Sequence, residues 1–305
     1  MNNHTKTLRP GFLLLVLSLS FFFCLIQTEV ARSQNLINNP ITVPMQVTAG
    51  GHLVIKATIN GVEGNFIFDT GAGLNLLTKK FADKVSGLNK LDGSYTGHRA
   101  TGEAMDLELW NVKSMKIGGL DYSNQLFSVL DLDFPLDGLI SLLPFRNTPL
   151  TINYKTKSLV FESASSLKRL AKSGKSTALQ LADDRGKALD IFANVRVNDT
   201  LTLQVGFDSG AGANVYRFNS KFMNALGVDS TKTDISYRKS SFDPKMGNKF
   251  YNTKLGKIAL ADADVKLNEV KVSFIQGLIY DGIMAMNWLG EQLTIDIPGK
   301  QLLIN

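Results

Sequence analysis

Two aspartates stand at equivalent places in a repeated eight-residue segment. The sequence FDTGAGLN at residues 68–75 recurs as FDSGAGAN at residues 207–214, and six of the eight positions are identical. Asp69 and Asp208 each end a run of apolar residues and precede a hydroxyl residue and a glycine. Two carboxyl groups that meet cannot both ionise cheaply, so they share one proton. Because the ionised partner can take a proton from water while the protonated partner polarises a carbonyl, the repeat predicts hydrolytic chemistry.

The residues that follow each aspartate would support such a pair. Thr70 and Ser209 carry hydroxyl groups that can hydrogen-bond across the contact and lock the two loops together. Gly71 and Gly210 have no side chain, so backbone N–H groups can approach the carboxylates closely. These four residues are therefore predicted to support the carboxyl pair.

The repeat extends beyond the two motifs. Ahead of each motif, apolar and polar residues alternate around a turn signal, Asn-Gly at 60–61 and Asn-Asp at 198–199. After each motif, LDGLISLLPF at 136–145 corresponds to YDGIMAMNWL at 280–289, and each block precedes a closing hairpin. The sequence thus predicts an all-β protein of two similar lobes related by a pseudo-two-fold axis.

The repeat also predicts where the two lobes begin and end. The first lobe is predicted at residues 44–165 and the second at residues 178–305. Residues 166–177 are polar and have no counterpart between the two copies, which predicts a linker.

The N-terminal residues are typical of an export signal. Lys6 and Arg9 precede a mostly apolar run from 12 to 26, and Ala31-Arg32-Ser33 offers a small-x-small cleavage pattern. The apolar run is shorter than the roughly 18 residues of a membrane helix. We expect residues 1–33 to be a signal peptide, the protein to be periplasmic or extracellular, and no membrane anchor to remain after cleavage.

Composition argues against several other classes of function. The net charge is +6, and no long basic run is interleaved with aromatic residues, so a nucleic-acid partner is not expected. The sole cysteine, Cys24, lies in the predicted signal peptide, which excludes cysteine chemistry and disulfides from the exported protein. The three histidines, His4, His52 and His98, lack metal-ligand spacing, so we expect neither a metal nor a cofactor.

The motifs FDTGA and FDSGA, each followed by an apolar-Asp-Gly-apolar-apolar block, resemble those of retropepsin-like aspartic peptidases. Alanine after the glycine is the retroviral form, whereas the presence of both copies in one chain is similar to pepsin. The resemblance covers nearly all of the chain after the signal peptide. It implies the acid-protease fold of two β-barrel lobes, with Asp69 and Asp208 as the catalytic pair and Thr70 and Ser209 as a grip between the lobes.

The resemblance also implies two flap hairpins over bound substrate, near residues 95–110 and 237–251. Tyr95 and Tyr237 are the corresponding candidates for substrate contact. The sequence departs from the family after the Asp-Gly blocks, where Ser141 and Ala285 replace the usual glycine.

Two functions remain open from the sequence. The first is an exported aspartic endopeptidase that hydrolyses peptide bonds with a water activated between Asp69 and Asp208. The second is a non-catalytic protein that retains the peptidase fold and binds an extended peptide by strand addition. Survival of both acids with their hydroxyl neighbours favours the peptidase.

Overall fold

The computed structural model describes residues 37–240, 243 and 245–305. The predicted signal peptide, residues 1–33, lies outside the described residues. Within them the chain forms 21 β-strands and two short α-helices, so the all-β prediction is confirmed. No helix in this described part is long and apolar enough to cross a membrane.

The first half of the described chain contains ten strands and the first helix. They are β1 (Ile41–Val47), β2 (Leu53–Ile59), β3 (Val62–Phe68), β4 (Asn75–Thr78), α1 (Lys79–Ala82), β5 (Asn89–His98), β6 (Ala104–Ile117), β7 (Leu120–Leu130), β8 (Gly138–Ile140), β9 (Leu150–Asn153) and β10 (Ser158–Phe161).

The second half contains the second helix and eleven strands. They are α2 (Ala164–Ser173), β11 (Lys175–Ala178), β12 (Gln180–Asp184), β13 (Ala188–Val197), β14 (Leu201–Phe207), β15 (Tyr216–Asn219), β16 (Asp234–Lys239), β17 (Gly247–Leu260), β18 (Lys266–Ile275), β19 (Gly282–Met284), β20 (Gln292–Asp296) and β21 (Gln301–Ile304).

The turn residues noted in the sequence close the hairpin that leads to each motif. Asn60 and Gly61 both have positive φ, 44° and 91°, as a two-residue hairpin turn requires. Ile59 therefore pairs with Val62, and β3 runs antiparallel to β2. In the second half, Asn198 and Asp199 also have positive φ, and β13 pairs with β14. Alternation of buried and exposed residues then fixes which face of each strand enters the core.

The two halves share one strand order. The first half runs β1-β2-β3-β8-β4-β7-β6-β5, and the second runs β12-β13-β14-β19-β15-β18-β17-β16. An additional pairing of β2 with β6, and of β13 with β17, closes six strands of each half into a barrel. The pairs β3–β8 and β14–β19 are parallel in both halves. The repeat read from the sequence is thus a repeat of topology.

A six-stranded sheet joins the halves, in the order β11-β21-β20-β9-β10-β1. Its centre is the antiparallel pairing of β9 with β20, where Thr151 lies opposite Thr294. The hydroxyl groups of these fully buried threonines are 2.7 Å apart and hydrogen-bond to each other. Equivalent strands therefore meet at the centre of this sheet, as in a symmetric dimer interface.

The predicted linker, residues 166–177, is folded in this structure. It includes most of α2, whose first turn is capped reciprocally by Ser163 and Ser166. It ends in β11, which pairs with β21 over Lys175 to Ala178. Since this segment is polar yet takes part in the joining sheet, composition alone did not reveal its structure; the lobe boundaries themselves stay a prediction.

Candidate active site

Both aspartates lie where a buried strand ends beside a parallel neighbour. Phe68 closes β3 and Phe207 closes β14, and both side chains are almost fully buried. The backbone N–H of Asp69 then donates to the carbonyl of Ile140 at 2.9 Å. The backbone N–H of Asp208 donates to the carbonyl of Met284, also at 2.9 Å. Equivalent ladders therefore hold the two aspartates at equivalent points of the halves.

The structure brings the two carboxyl groups together. The Asp69 and Asp208 side chains hydrogen-bond to each other, and both remain partly accessible to solvent. Backbone donors surround them, since the N–H of Gly71 lies 2.9 Å from Oδ1 of Asp69 and that of Ala211 lies 2.8 Å from Oδ1 of Asp208. Such donors stabilise negative charge on the pair.

Thr70 and Ser209 interlock below the carboxyl pair. The Thr70 N–H donates to Oγ of Ser209 at 3.0 Å, and the Ser209 N–H donates to Oγ1 of Thr70 at 3.0 Å. The Thr70 hydroxyl donates to the carbonyl of Phe207 at 2.7 Å, while the Ser209 hydroxyl donates to that of Phe68 at 2.8 Å. All of these groups are buried, so each hydroxyl both accepts and donates across the contact. The structure thus places these hydroxyls where the sequence predicted them.

Gly71 and Gly210 do more than expose backbone donors. A β-carbon on Gly71 would lie 2.4 Å from Cγ of Asp208, and one on Gly210 would lie 2.3 Å from Cγ of Asp69. Each glycine thus makes room for the carboxyl group of the opposite half. Sequence reasoning predicted only that backbone N–H groups approach the carboxylates at these glycines, and it missed this reciprocal contact.

The two carboxyl groups have unequal electrostatic environments. Burial, followed by the Asp208 charge, raises the pKa of Asp69 well above its ordinary value. Burial also raises the pKa of Asp208, but hydrogen bonds from Asp69 and Ala211 and the positive charge of Arg217 oppose the rise. Because the pKa of both carboxyl groups is raised, the pair holds one proton between them.

Ser141 and Ala285, which replace the usual glycines, are both fully buried, and their polar groups have hydrogen-bond partners. The Ser141 hydroxyl lies 3.1 Å from Oδ1 of Asn75, which also accepts the Ser141 N–H at 2.9 Å. The Ala285 N–H donates to the carbonyl of Val215 at 2.8 Å. The added hydroxyl is therefore hydrogen-bonded, and the backbone N–H groups of Ser141 and Ala285 both have acceptors.

The two candidate flap tyrosines have different surroundings. Tyr95 on β5 is partly buried, and its hydroxyl hydrogen-bonds to Asp184 of the second half. Tyr237 on β16 is 58% exposed and packs beside Gly247 of its own hairpin. Contact of either tyrosine with substrate stays a prediction, and the structure places only Tyr95 against the opposite half.

The turn between β5 and β6 reaches the second half. The carbonyl of Ala100 accepts the N–H of Ile279 at 2.9 Å, and the carbonyl of Thr101 accepts Nδ2 of Asn248 at 3.1 Å. Ala100 also packs on a small apolar cluster of the second half that includes Phe250. The tip of the first predicted flap is thus held against the other half.

Sequence reasoning missed two charged residues close to the aspartates. Burial, then the Asp208 charge, raises the pKa of Asp190 to about 6. Arg217 lies near enough to lower the pKa of Asp208. Both interrupt otherwise apolar strand sequences, LDIFA and VYRF, and this is the signal that would have found them.

The described residues contain no cluster of three or more histidine, cysteine, aspartate or glutamate side chains that could hold a metal ion.

Comparison with known proteins matches the first repeat to a protein family. Residues 55–142 match the family described as Aspartyl protease. The resemblance to retropepsin-like aspartic peptidases, read from the motifs, is confirmed over this range. No protein with curated annotation matches the chain. Among solved structures, one titled "Crystal structure of edgp" is similar with a TM-score of 0.49 and 9% identity, covering 87% of this chain and 94% of the other.

Proposed function

We propose that the protein is an exported aspartic endopeptidase whose catalytic groups are Asp69 and Asp208. The observation that carries the proposal is the mutual hydrogen bond of two carboxyl groups, the pKa of each raised by burial, at the contact of two equivalent halves. The match of residues 55–142 to the aspartyl protease family supports the same reaction class.

In the proposed reaction, the ionised Asp208 takes a proton from a water molecule while the water oxygen attacks the peptide carbonyl carbon. Asp69 gives its proton to the carbonyl oxygen, which produces a tetrahedral diol. Asp208 then returns its proton to the amide nitrogen, and Asp69 recovers one from a diol hydroxyl as the C–N bond breaks. The products are a carboxylic acid and an amine, and the dyad ends in its starting protonation state.

The partner is a peptide or protein segment in an extended conformation. Tyr95 and the turn between β5 and β6 support this assignment because they lie near the opposite half, where an extended chain would pass between them and the dyad. Hydrogen bonds between the backbone of an extended peptide and the protein give affinity, while pockets for the peptide side chains give specificity. No cofactor takes part in the proposed reaction.

The arrangement favours hydrolysis over peptide binding alone. Two facing carboxyl groups in a desolvated contact are unfavourable for folding, since burial raises the pKa of both and the Asp208 charge raises that of Asp69 further. A protein that only bound peptides would gain nothing from two buried carboxyl groups that reduce its stability. Export is part of the proposal on the sequence features of residues 1–33.

The test is cleavage of a proteome-derived peptide library by residues 34–305, read by mass spectrometry. We expect new termini inside the peptides, their loss with a statine-type inhibitor, and their loss in Asp69→Asn and Asp208→Asn. Asp264→Asn, at a side chain that is 82% exposed, is the matched control and should cleave normally. Binding of library peptides without any cleavage by the unaltered protein would reject hydrolysis and favour the binding protein.

A further inference from the structure

A cavity of about 530 Å³ opens in the second half, and the first of its lining residues, Asn214, follows the loop that carries Asp208. It lies between β15, β16, β17 and β18, and no carboxylate lines it among the described residues. Its four cationic lining residues are Arg217, Arg238, Lys254 and Lys271. A concave site with several positive charges and no negative one is built for an anionic group.

Arg217 is the innermost of these cations. It lies on β15 between the buried Tyr216 and Phe218, and burial lowers the pKa of its guanidinium. No described residue forms an ion pair or hydrogen bond with its side chain within hydrogen-bonding distance. A buried cation is costly unless an anion and hydrogen-bond acceptors satisfy it. The Arg217 side chain is only partly buried and lines the cavity, so an anion bound there can supply the acceptors that the described residues do not.

The other three cations have no carboxylate beside them among the residues that line the cavity. The guanidinium of Arg238 stacks over the ring of Phe250, with 4.6 Å from Cζ to the ring centroid. Lys254 and Lys271 stand directly opposite each other on β17 and β18. Like charges directly opposite in an antiparallel pair are destabilising. An anion in the cavity would relieve that repulsion.

The fold itself does not call for a cation at position 217. The strand pairings identify the equivalent position in the first half. Arg217 lies opposite Ile283, and Leu76 lies opposite Leu139, each partner being the residue after the glycine of its Asp-Gly block. Because the equivalent position takes the apolar Leu76 in the other half, the charge of Arg217 points to a difference in ligand contact.

The cavity is next to the reacting groups. Asn214 and Val215, which line it, directly follow the loop that carries Asp208. Arg217 is close enough for its charge to act on the Asp208 carboxylate. A group held in the cavity would thus belong to a residue near the scissile bond.

We propose that this cavity is a subsite for a carboxylate of the peptide, which makes the protein selective for acidic substrates on one side of the bond it cleaves. This inference rests on the proposed function for its substrate class. The planar fork of an arginine matches a carboxylate with two parallel hydrogen bonds. The carboxylate can come from an aspartate or glutamate side chain or from the C-terminus of the peptide.

The test measures binding to the Asp69→Asn protein, which keeps Asp208 beside Arg217 but does not cleave. The probes are fluorescein-labelled decapeptides of otherwise apolar sequence, with one glutamate moved through the positions and a glutamine version of each. Every peptide is made with a free and an amidated C-terminus. The same measurement is repeated after Arg217→Gln or Arg238→Gln is added, one at a time, to the Asp69→Asn protein. Arg196→Gln, at an exposed position of β13, is added in the same way as the matched control.

We expect glutamate at one position to bind about tenfold or more tighter than glutamine, as a hydrogen-bonded charge pair gives. Arg217→Gln should remove the difference, Arg238→Gln should reduce it, and Arg196→Gln should keep it. If only the free C-terminus gives the preference, the carboxylate recognised is the terminal one. Equal binding of both versions, no binding at all, or a preference that survives both cavity variants would overturn the subsite.

Failure of this inference is distinguishable from failure of the proposed function. If the unaltered protein cleaves glutamate and glutamine peptides equally well, the hydrolysis stands and the acidic subsite is wrong. If the carboxylate preference is seen in binding but no peptide is cleaved, the subsite stands and the proposed hydrolysis is wrong.

Discussion

Gly71 and Asp208 belong to opposite halves of the protein, yet a β-carbon on Gly71 would lie 2.4 Å from the carboxyl carbon of Asp208. Gly210 has the same relation to Asp69, at 2.3 Å. Neither glycine has the positive φ that would itself favour glycine, so the close approach is the reason for both. The two carboxyl groups can therefore meet only because each opposite loop lacks a side chain at this point.

The first prediction follows from that contact. Gly71→Ala or Gly210→Ala should displace the opposing carboxyl group, and kcat/KM should fall by at least about 100-fold, as misplacement by an ångström can cause. Overpacking of this kind should also lower the free energy of unfolding by about 1–3 kcal/mol. Peptide cleavage and urea unfolding measure the two effects.

Gly256→Ala is the control, since the atom nearest to its added β-carbon would be Oδ1 of Asn198 at 3.6 Å. An alanine at position 71 with unchanged kcat/KM would contradict the reciprocal contact.

The second prediction concerns the interlocked hydroxyl groups. Thr70→Val keeps the shape of the side chain but leaves the N–H of Ser209 and the carbonyl of Phe207 without their partner. Each unsatisfied buried group costs about 1–3 kcal/mol, so the free energy of unfolding should fall by roughly 2–5 kcal/mol. Thr70→Ser keeps the hydroxyl and should lose only about 1 kcal/mol for the missing methyl group. Equal losses for valine and serine in urea unfolding would show that these hydrogen bonds contribute nothing.

The third prediction links the dyad to stability. The pKa of Asp69 is raised in the folded protein, so the stability present below the unfolded pKa of about 3.9 is lost as pH rises toward the folded pKa. Asp69→Asn removes this loss, so the variant should gain stability over the unaltered protein between pH 4 and pH 7.

Urea unfolding of both proteins at the two pH values measures the difference, and Asp264→Asn controls for removal of one negative charge. If the difference in free energy of unfolding between Asp69→Asn and the unaltered protein stays constant or shrinks toward pH 7, the pKa of Asp69 is not raised in the folded protein.

The fourth prediction concerns Asp190. Its pKa is raised to about 6 by burial and by the Asp208 charge, so above that pH it adds a negative charge near the dyad. That charge disfavours loss of the last dyad proton. In Asp190→Asn the alkaline limb of kcat/KM should therefore move to lower pH, while the limb of Asp264→Asn should stay in place. An unmoved alkaline limb in an active Asp190→Asn protein would show that this carboxyl group does not act on the dyad.

The repetition in the sequence predicted the central part of the molecule for physical reasons. The offset between Asp69 and Asp208 implied equivalent strands, and the turn at 60–61 set the register that leads to the first aspartate. The hydrogen bonds between Thr70 and Ser209 were predictable because buried polar groups at a contact between equivalent loops need hydrogen-bond partners there.

Other features depend on contacts that no local pattern records. The segment 166–177 is folded through the pairing of β11 with β21, which lies at the far end of the chain. Arg217 and Asp190 act on Asp208 only because the fold brings β13, β14 and β15 of the second half together. The hydroxyl of Ser141 needs Asn75, which is distant in sequence, to be satisfied in the core.

The central claim is that Asp69 and Asp208 act as one catalytic unit. It is tested most directly by kcat/KM for Asp69→Asn, Asp208→Asn and the double variant on one peptide that the unaltered protein cleaves. Catalytic groups that work together are strongly non-additive. Each single variant should lose about 10⁴-fold or more, and the double variant should lose no more than a few-fold beyond that. A single variant that keeps more than about one hundredth of the activity, or losses that multiply in the double variant, would contradict the shared dyad.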